Sequence, residues 1–255
     1  MAVDVGNTQT VLGLFDGKAP RGKWRIATEM HKTADELAVF FAGLLALEGL
    51  SLDEVGAVIV SSVVPALTRS YRNLASEVLG APFYGVTSGI ETGLDNRYDD
   101  PEAVGADRIV NAVAVGRHYG FPAIIVDIGT ATTVEAVNGG ACYLGGAILT
   151  GLYVSLEALV SRTAKLPSVD LEEEPPRVIA TNTPDSIRSG FIYGYAGAID
   201  ALIRRSREEL DEDGVKVVAT GGPAGVIVPY CREIQQFDPD LTLKGLLALY
   251  EMNAK

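Results

Sequence analysis

Apolar and polar positions along the chain fall into short strand-like runs and longer helix-like stretches that alternate from end to end. Val3-Asp4-Val5 is a short apolar run broken by one carboxylate, and after Gly6 and several small polar residues a second run, Val11 to Phe15, follows. Two such runs joined by small residues read as a hairpin. Asp16-Gly17 is a turn pair that predicts a second reversal, into Lys23 to Ile26. Thr33 with Glu36 three residues on predicts a capping box, opening an amphipathic helix that runs to Leu50 with its apolar face on the sheet. Ala57 to Val60 predicts another strand, leading through Ser61-Ser62-Val63-Val64-Pro65 into a helix from Ala66 to Leu79. Further helices are expected over Ile109 to Tyr119, Ser155 to Ala164 and Ser186 to Leu210, and the Pro- and Glu-rich stretch Glu172 to Pro176 is expected to be a surface loop. Val215 to Thr220 predicts a buried-type strand delivering Gly221-Gly222, and a helix is expected within Pro223 to Ile234.

The pattern repeats. Val3 to Val11 and Val126 to Val134 agree at five of nine positions, with Asp4 and Asp127 offset by 123 residues, close to half the chain. The second copy also continues into a strand, Val134 to Val137, a turn pair, Asn138-Gly139, and a third strand, Ala141 to Leu144. A duplicated fold of two lobes is the natural reading, each lobe opening with a small meander. The boundary is expected near the middle, with lobes 1–115 and 116–255.

Composition narrows the class. With 255 residues and 47% hydrophobic content, the chain can bury a sizeable core. The longest apolar candidate, Leu37 to Leu50, is interrupted by Gly43 and Glu48, short of the ~20 residues a membrane span needs. The start carries no basic stretch followed by an apolar run, so a soluble, cytoplasmic protein is expected, with no membrane partner. Cys142 and Cys231 lie far apart with no metal-ligand spacing, which suits reduced thiols. A formal net charge of −12 opposes nucleic-acid binding. The one basic cluster, Arg204-Arg205-Ser206-Arg207, runs straight into Glu208-Glu209 and reads as a solvated helix face.

The chemistry sits in four places. A carboxylate, a glycine and hydroxyl residues at a tight turn suit phosphate binding, because the glycine lets backbone N–H groups approach phosphate oxygens while the Asp holds a metal or its water. Asp4 and Asp127 both fit, although one such turn alone is equally well a plain reversal. Gly105-Ala106-Asp107-Arg108, preceded by Tyr98, sets an acid beside a base at a helix start. Asp107 is then a candidate to orient and deprotonate an attacking hydroxyl and Arg108 to pair with an anion, the plain alternative being an ordinary helix-start carboxylate. Gly145-Gly146-Ala147-Ile148, followed by Gly151, reads as a loop whose glycines admit a ligand. Thr220-Gly221-Gly222 is a strand running into paired glycines, either a nucleotide-contacting turn or a simple reversal.

Taken in order, Asp4-Val5-Gly6-Asn7-Thr8, Thr33-Ala34-Asp35-Glu36, Gly105 to Arg108, Asp127 to Thr133, Gly145 to Ile148 and Thr220 to Gly222 resemble type III pantothenate kinase. Lesser stretches extend the resemblance over nearly the whole chain: Ser155 to Leu159, Ala164 to Pro167, Asn182-Thr183 and Ser189 to Gly197. The resemblance implies an α/β fold, the duplicated ribonuclease H-like, actin-like fold of the acetate and sugar kinase/actin superfamily. It implies that ATP phosphorylates pantothenate to 4′-phosphopantothenate, the first step of coenzyme A synthesis. Asp4, Val5, Gly6, Asn7, Thr8, Gln9, Thr10 and Val11 would form the first phosphate loop, Thr130, Thr132 and Thr133 the second, and Gly221 and Gly222 the adenosine turn. Asp107 would be the catalytic base; Tyr98, Gly105, Ala106, Asp107, Arg108 and Thr183 would hold pantothenate, Thr183 reaching in from the partner subunit of a homodimer. Asp127 would hold a monovalent cation, K⁺ or NH₄⁺, and Asp4 would hold Mg²⁺ through water. Two departures stand out: only three residues precede Asp4, and Thr150 replaces the usual proline before Gly151.

Three rival readings share these features. Another small-molecule kinase of the superfamily would keep both phosphate turns but lack the Gly105 to Arg108 motif in this setting. A non-catalytic regulatory protein is opposed by the acidic charge and the absence of a helix-turn-helix pattern. An actin-like filament protein would use the same turns for assembly, and the chain is short for one.

Overall fold

The computed structural model describes residues 1–173 and 177–254. The chain opens with a meander of three strands, β1 (Ala2–Val5), β2 (Gln9–Asp16) and β3 (Ala19–Ala27), paired antiparallel in sequence order. α1 (Ala34–Leu47) begins as its capping box dictates: Glu36 N–H donates to the Thr33 hydroxyl at 3.3 Å, and Thr33 N–H donates to the Glu36 carboxylate at 2.8 Å. It stops three residues short of Leu50, because the N–H groups of Gly49 and Leu50 turn back to Ala46 and Leu45 carbonyls and close the helix. β4 (Val58–Ser62) follows, then α2 (Pro65–Asn73), continued by one wide turn over Leu74–Val78, and β5 (Phe83–Gly85).

The middle of the chain supplies β6 (Asp95–Asn96) and α3 (Ala106–His118), so Asp107 and Arg108 lie inside the first turn of the helix that was expected to start at Ile109. The second meander is β7 (Ala123–Ile128), β8 (Ala131–Val137) and β9 (Cys142–Thr150). Gly145 to Ile148, expected as a loop, thus lie inside β9. Their glycines serve close packing within the sheet: a side chain at Gly146 would drive its Cβ to 1.9 Å from the Val134 carbonyl oxygen. α4 (Leu152–Ser161) and α5 (Thr183–Leu210) both start three residues earlier than the apolar periodicity indicates, because Gly151 and Asn182 cap them. The Asn182 side-chain oxygen accepts from Asp185 N–H at 2.9 Å. β10 (Lys216–Thr220), α6 (Ala224–Ile227), β11 (Gln236–Phe237) and α7 (Leu241–Asn253) complete the order. Of the expected loop Glu172 to Pro176, Glu172 and Glu173 are exposed and irregular, while Glu174 to Pro176 lie outside the described residues.

The chain divides into two compact units. The first comprises Met1–Gly93, Asp99–Arg117 and Leu241–Lys255, the second Leu94–Tyr98 and His118–Asp240. The first has a sheet in the order β3-β2-β1-β4-β5, antiparallel in the meander and parallel from β1 through β5. Val3, Val5, Leu12, Val58 and Val60 pack on one face against Leu37, Phe41 and Leu45 of α1 and Tyr71 of α2. The second unit repeats that order as β9-β8-β7-β10-β11, with β6 added at the edge beside β9. Its core joins Ile124, Val126, Val134, Val217 and Ala219 of the sheet to Ile192, Ala196, Ile199 and Ile203 of α5. Among the described residues, no helix is long and apolar enough to cross a membrane.

The duplication is real in topology but shifted in register. Asp4 pairs with Val11, seven residues on, whereas Asp127 pairs with Thr133, six residues on. The first turn therefore holds one extra residue, and the ungapped match of Thr10 to Thr133 slips by one. Burial agrees: Thr10 (1% exposed) and Thr132 (0%) are the equivalent inward-facing hydroxyl residues.

Candidate functional site

In the first unit, β1 carries Asp4 one residue before its end, half-buried, on the sheet face opposite Val3 and Val5. The turn into β2 is held by Gly6 N–H donating to the Gln9 carbonyl at 3.0 Å, and Thr28 N–H, just past β3, braces it by donating to the Thr8 carbonyl at 2.9 Å. Asn7, Thr8 and Gln9 are exposed at its tip, where backbone groups can meet a ligand. The Thr10 hydroxyl instead points inward and shares a 2.9 Å hydrogen bond with the Thr28 hydroxyl, so it stiffens the turn from beneath.

The same unit holds Gly105 to Arg108 at the start of α3. Asp107 is half-buried and its Oδ1 accepts from Arg108 N–H at 2.9 Å, folding the carboxylate onto the first turn. A Cβ on Gly105 would lie 2.5 Å from that Oδ1, so glycine is what leaves room for the carboxylate there. The oriented N–H groups of the helix N-terminus face this carboxylate. Arg108 is 9% exposed. One turn on, Asn111 accepts from the Thr242 hydroxyl of α7 at 2.8 Å, and Gly245 of α7 lies against Val110. α7 therefore fixes the roll of α3 and the direction of its first turn, a role nothing in the α7 sequence signals.

In the second unit, Gly129 N–H donates to the Ala131 carbonyl at 2.9 Å to form the tighter turn, leaving Thr130 and Ala131 exposed. Asp127 is half-buried next to it, paired with Thr133 on β8 and with Thr220 on β10. Gly221 follows with φ 104°, and a Cβ there would sit 2.1 Å from the Ile128 carbonyl oxygen. Only glycine allows that left-handed backbone at so close an approach. The structure thus gathers Asp127, the Thr130 to Thr133 turn and Gly221-Gly222 at one end of one sheet. Thr132 is enclosed, its hydroxyl 2.9 Å from that of Tyr195, which gives its one proton to the Thr150 carbonyl. Burial raises the Tyr195 pKa above the usual tyrosine value, so the donor stays protonated. Sequence reasoning missed Tyr195 because its partners are distant in the chain. Thr150, where the family pattern has proline, uses its hydroxyl to bond Ser155 at 2.7 Å.

Tyr98 lies elsewhere in the second unit, just past β6. Its N–H donates to Asn96 Oδ1 at 3.1 Å, and its ring rests on Gly145, whose φ of 108° and missing side chain make the seat. Behind it stands Tyr143, ring centroids 6.4 Å apart, whose hydroxyl donates to the buried Glu135 carboxylate. Thr183 is exposed at the first turn of α5 and lines a cavity of about 500 Å³ with Leu159, Leu166, Ser186, Gly190 and Tyr195.

The donor chemistry has a clear character. Among the described residues, no three His, Cys, Asp or Glu side chains cluster as a metal chelate. Single carboxylates beside hydroxyls and backbone groups suit hard cations, Mg²⁺ sharing a site with phosphates and water, or a large monovalent ion on oxygen donors.

The chain matches the family profile described as type III pantothenate kinase over residues 1–205. It is 66% identical, over 100% of its own length and 98% of the relative's, to the type III pantothenate kinase of Rubrobacter xylanophilus. Among solved structures it resembles a Campylobacter jejuni protein assigned by its description to the Baf family of transcriptional activators, with TM-score 0.62, 18% identity and coverage of 98% and 97% of the two chains. It also resembles a ROK hexokinase from Thermus thermophilus, with TM-score 0.51, 15% identity and coverage of 98% and 97%. At such identities these two likenesses speak for the fold alone, which is that of the acetate and sugar kinase/actin superfamily.

Proposed function

The chain belongs to the type III pantothenate kinase family, and we propose that it transfers the terminal phosphoryl group of ATP to the primary hydroxyl of pantothenate, giving 4′-phosphopantothenate for coenzyme A synthesis. The observation that carries this reading is the 66% identity running the full length of both chains. The twin turns agree with it: each sets an Asp, a glycine and exposed backbone at the end of a buried strand, as two phosphate-holding turns require. The two lobes in this reading are the two compact units, which depart from a simple 1–115 and 116–255 division because α7 joins the first and β6 the second.

Phosphoryl transfer asks for in-line positioning and charge neutralisation more than for covalent chemistry. In the proposed assignment the Asp4 to Val11 turn and the Thr130 to Thr133 turn hold phosphate oxygens through backbone N–H groups. Thr10 and Thr132 shape the turns from inside, and Gly221-Gly222 meets the adenosine. Asp4 would hold Mg²⁺ and Asp127 a monovalent cation, and these ions would supply neutralisation of the triphosphate charge. Asp107 orients the hydroxyl of pantothenate and accepts its proton, Arg108 pairs with the pantothenate carboxylate, and Tyr98 contributes a contact to pantothenate. Thr183 comes from the partner subunit of a homodimer.

The test is direct: incubate the purified protein with ATP, Mg²⁺, K⁺ and pantothenate and look for 4′-phosphopantothenate by mass spectrometry. Product is expected; folded protein that makes none sinks the reading.

A further inference from the structure

Ser61 closes the buried stretch of β4 and stands in register beside Asp4 on the parallel β1. Val3, Val5, Val58 and Val60 of these strands face the core on one side of the sheet, so alternation places Asp4 and Ser61 together on the other side. Paired positions on neighbouring strands are about 5 Å apart, close enough for one water to touch both side chains. Ser61 is 0% exposed, and its hydroxyl has no hydrogen-bond partner among the described residues. A buried hydroxyl without a partner is a cost that folding alone does not explain. The second unit repeats the arrangement: Thr220, 2% exposed, stands on β10 in register beside Asp127. A buried hydroxyl residue therefore flanks each of the two carboxylates.

We infer that Ser61 is a positioning residue for Asp4, its hydroxyl holding the water through which the Asp4 carboxylate meets the magnesium nucleotide. No described protein group satisfies the serine hydroxyl, and that water completes its hydrogen bonds. Local strain of this kind stored at a site is offset by binding. The inference rests on the reading of Asp4 as the Mg²⁺-side carboxylate.

The experiment uses the full chain as wild type, Ser61→Ala and Asp4→Asn. Each protein is melted without ligand, and each, loaded with a non-hydrolysable ATP analogue, is titrated with Mn²⁺ while free Mn²⁺ is read by electron paramagnetic resonance. Ser61→Ala should melt at or above the wild type, since the orphaned hydroxyl is gone, yet bind Mn²⁺ about tenfold more weakly. If Ser61→Ala binds Mn²⁺ like the wild type while Asp4→Asn is impaired, the inference falls and the Asp4 reading stands. If Asp4→Asn also binds like the wild type, the Asp4 reading falls and takes the inference with it. If Ser61→Ala melts clearly below the wild type, the hydroxyl serves the fold itself, and the inference is wrong.

Discussion

Asp107, proposed as the base, also has a structural task. Its carboxylate caps the first turn of α3 through Arg108 N–H, and it occupies space that only the missing side chain at Gly105 leaves. Asp107→Asn keeps an oxygen for that N–H, so melting temperature should hold while turnover falls by ~10²- to 10⁴-fold, the usual worth of a general base. Turnover near the wild type would remove Asp107 from the role. Asp127 invites a different test, because one active site has little use for two identical Mg²⁺ carboxylates. Activity should require K⁺ or NH₄⁺, with Na⁺ substituting poorly, when the salts are titrated at constant ionic strength and fixed Mg²⁺. Asp127→Ala should lose the K⁺ response and keep the Mg²⁺ dependence; equal activity of the wild type in all three salts would overturn the assignment. Asp4 and Asp127 were legible in the sequence as members of an echo, but the echo misaligned their neighbours. A one-residue difference in turn length moves every following side chain to the other face, and the sequence could not show it because Thr132 and Thr133 are identical in kind.

Elements were legible where a local signal fixes them. The Thr33 and Glu36 box sets the start of α1 by hydrogen bonds within four residues, and the structure keeps it. Helix starts at Gly151 and Asn182 escaped because periodicity sees apolar faces, not caps, and the glycines of β9 read as a loop because their reason is packing across the sheet. The basic cluster on α5 is a solvated face in part: Arg207 and Arg204 reach Glu233 at 2.7 and 3.4 Å. The Arg207 guanidinium beside Glu233, aided by Arg204, holds that carboxyl below the ordinary carboxylate range. A carboxyl whose pKa is lower in the folded than in the unfolded state stabilises above the unfolded value, about 4.3, and loses that contribution as pH falls through the folded value. Glu233→Gln should therefore cost roughly 0.5 kcal/mol at neutral pH, discounted for solvent screening. The difference in urea midpoint between variant and wild type should shrink on acidification below about pH 4. A gap that stays constant with pH would show that the pair contributes nothing through charge.

At the scale of the molecule, two lobes that each open with a meander were anticipated by nine residues of echo, yet the full sheet order and the routing of the chain were not. β6 joins the second unit from within the first half, and α7 returns to the first unit from the C-terminus to fix α3. No local pattern encodes such returns, since they follow from which sheet edge and which helix face remain uncovered once the rest has packed. The proposed homodimer extends the same logic beyond one chain. If Thr183 completes the partner's pantothenate site, catalysis and substrate contact at each site come from different chains. Asp107→Asn and Thr183→Arg homodimers should then each be nearly inactive, the first for want of a base and the second because a long charged side chain fills the pocket mouth. Mixing them under mild dissociating conditions and reassociating would form hybrids in which one site carries both lesions and the other carries none. Random reassortment of equal amounts makes half the dimers hybrid, so activity should rise to about a quarter of the wild type. If Thr183 serves its own chain, every hybrid site keeps one lesion and mixing restores nothing. A light-scattering mass of a single chain would dismiss the dimer before the mixing is tried.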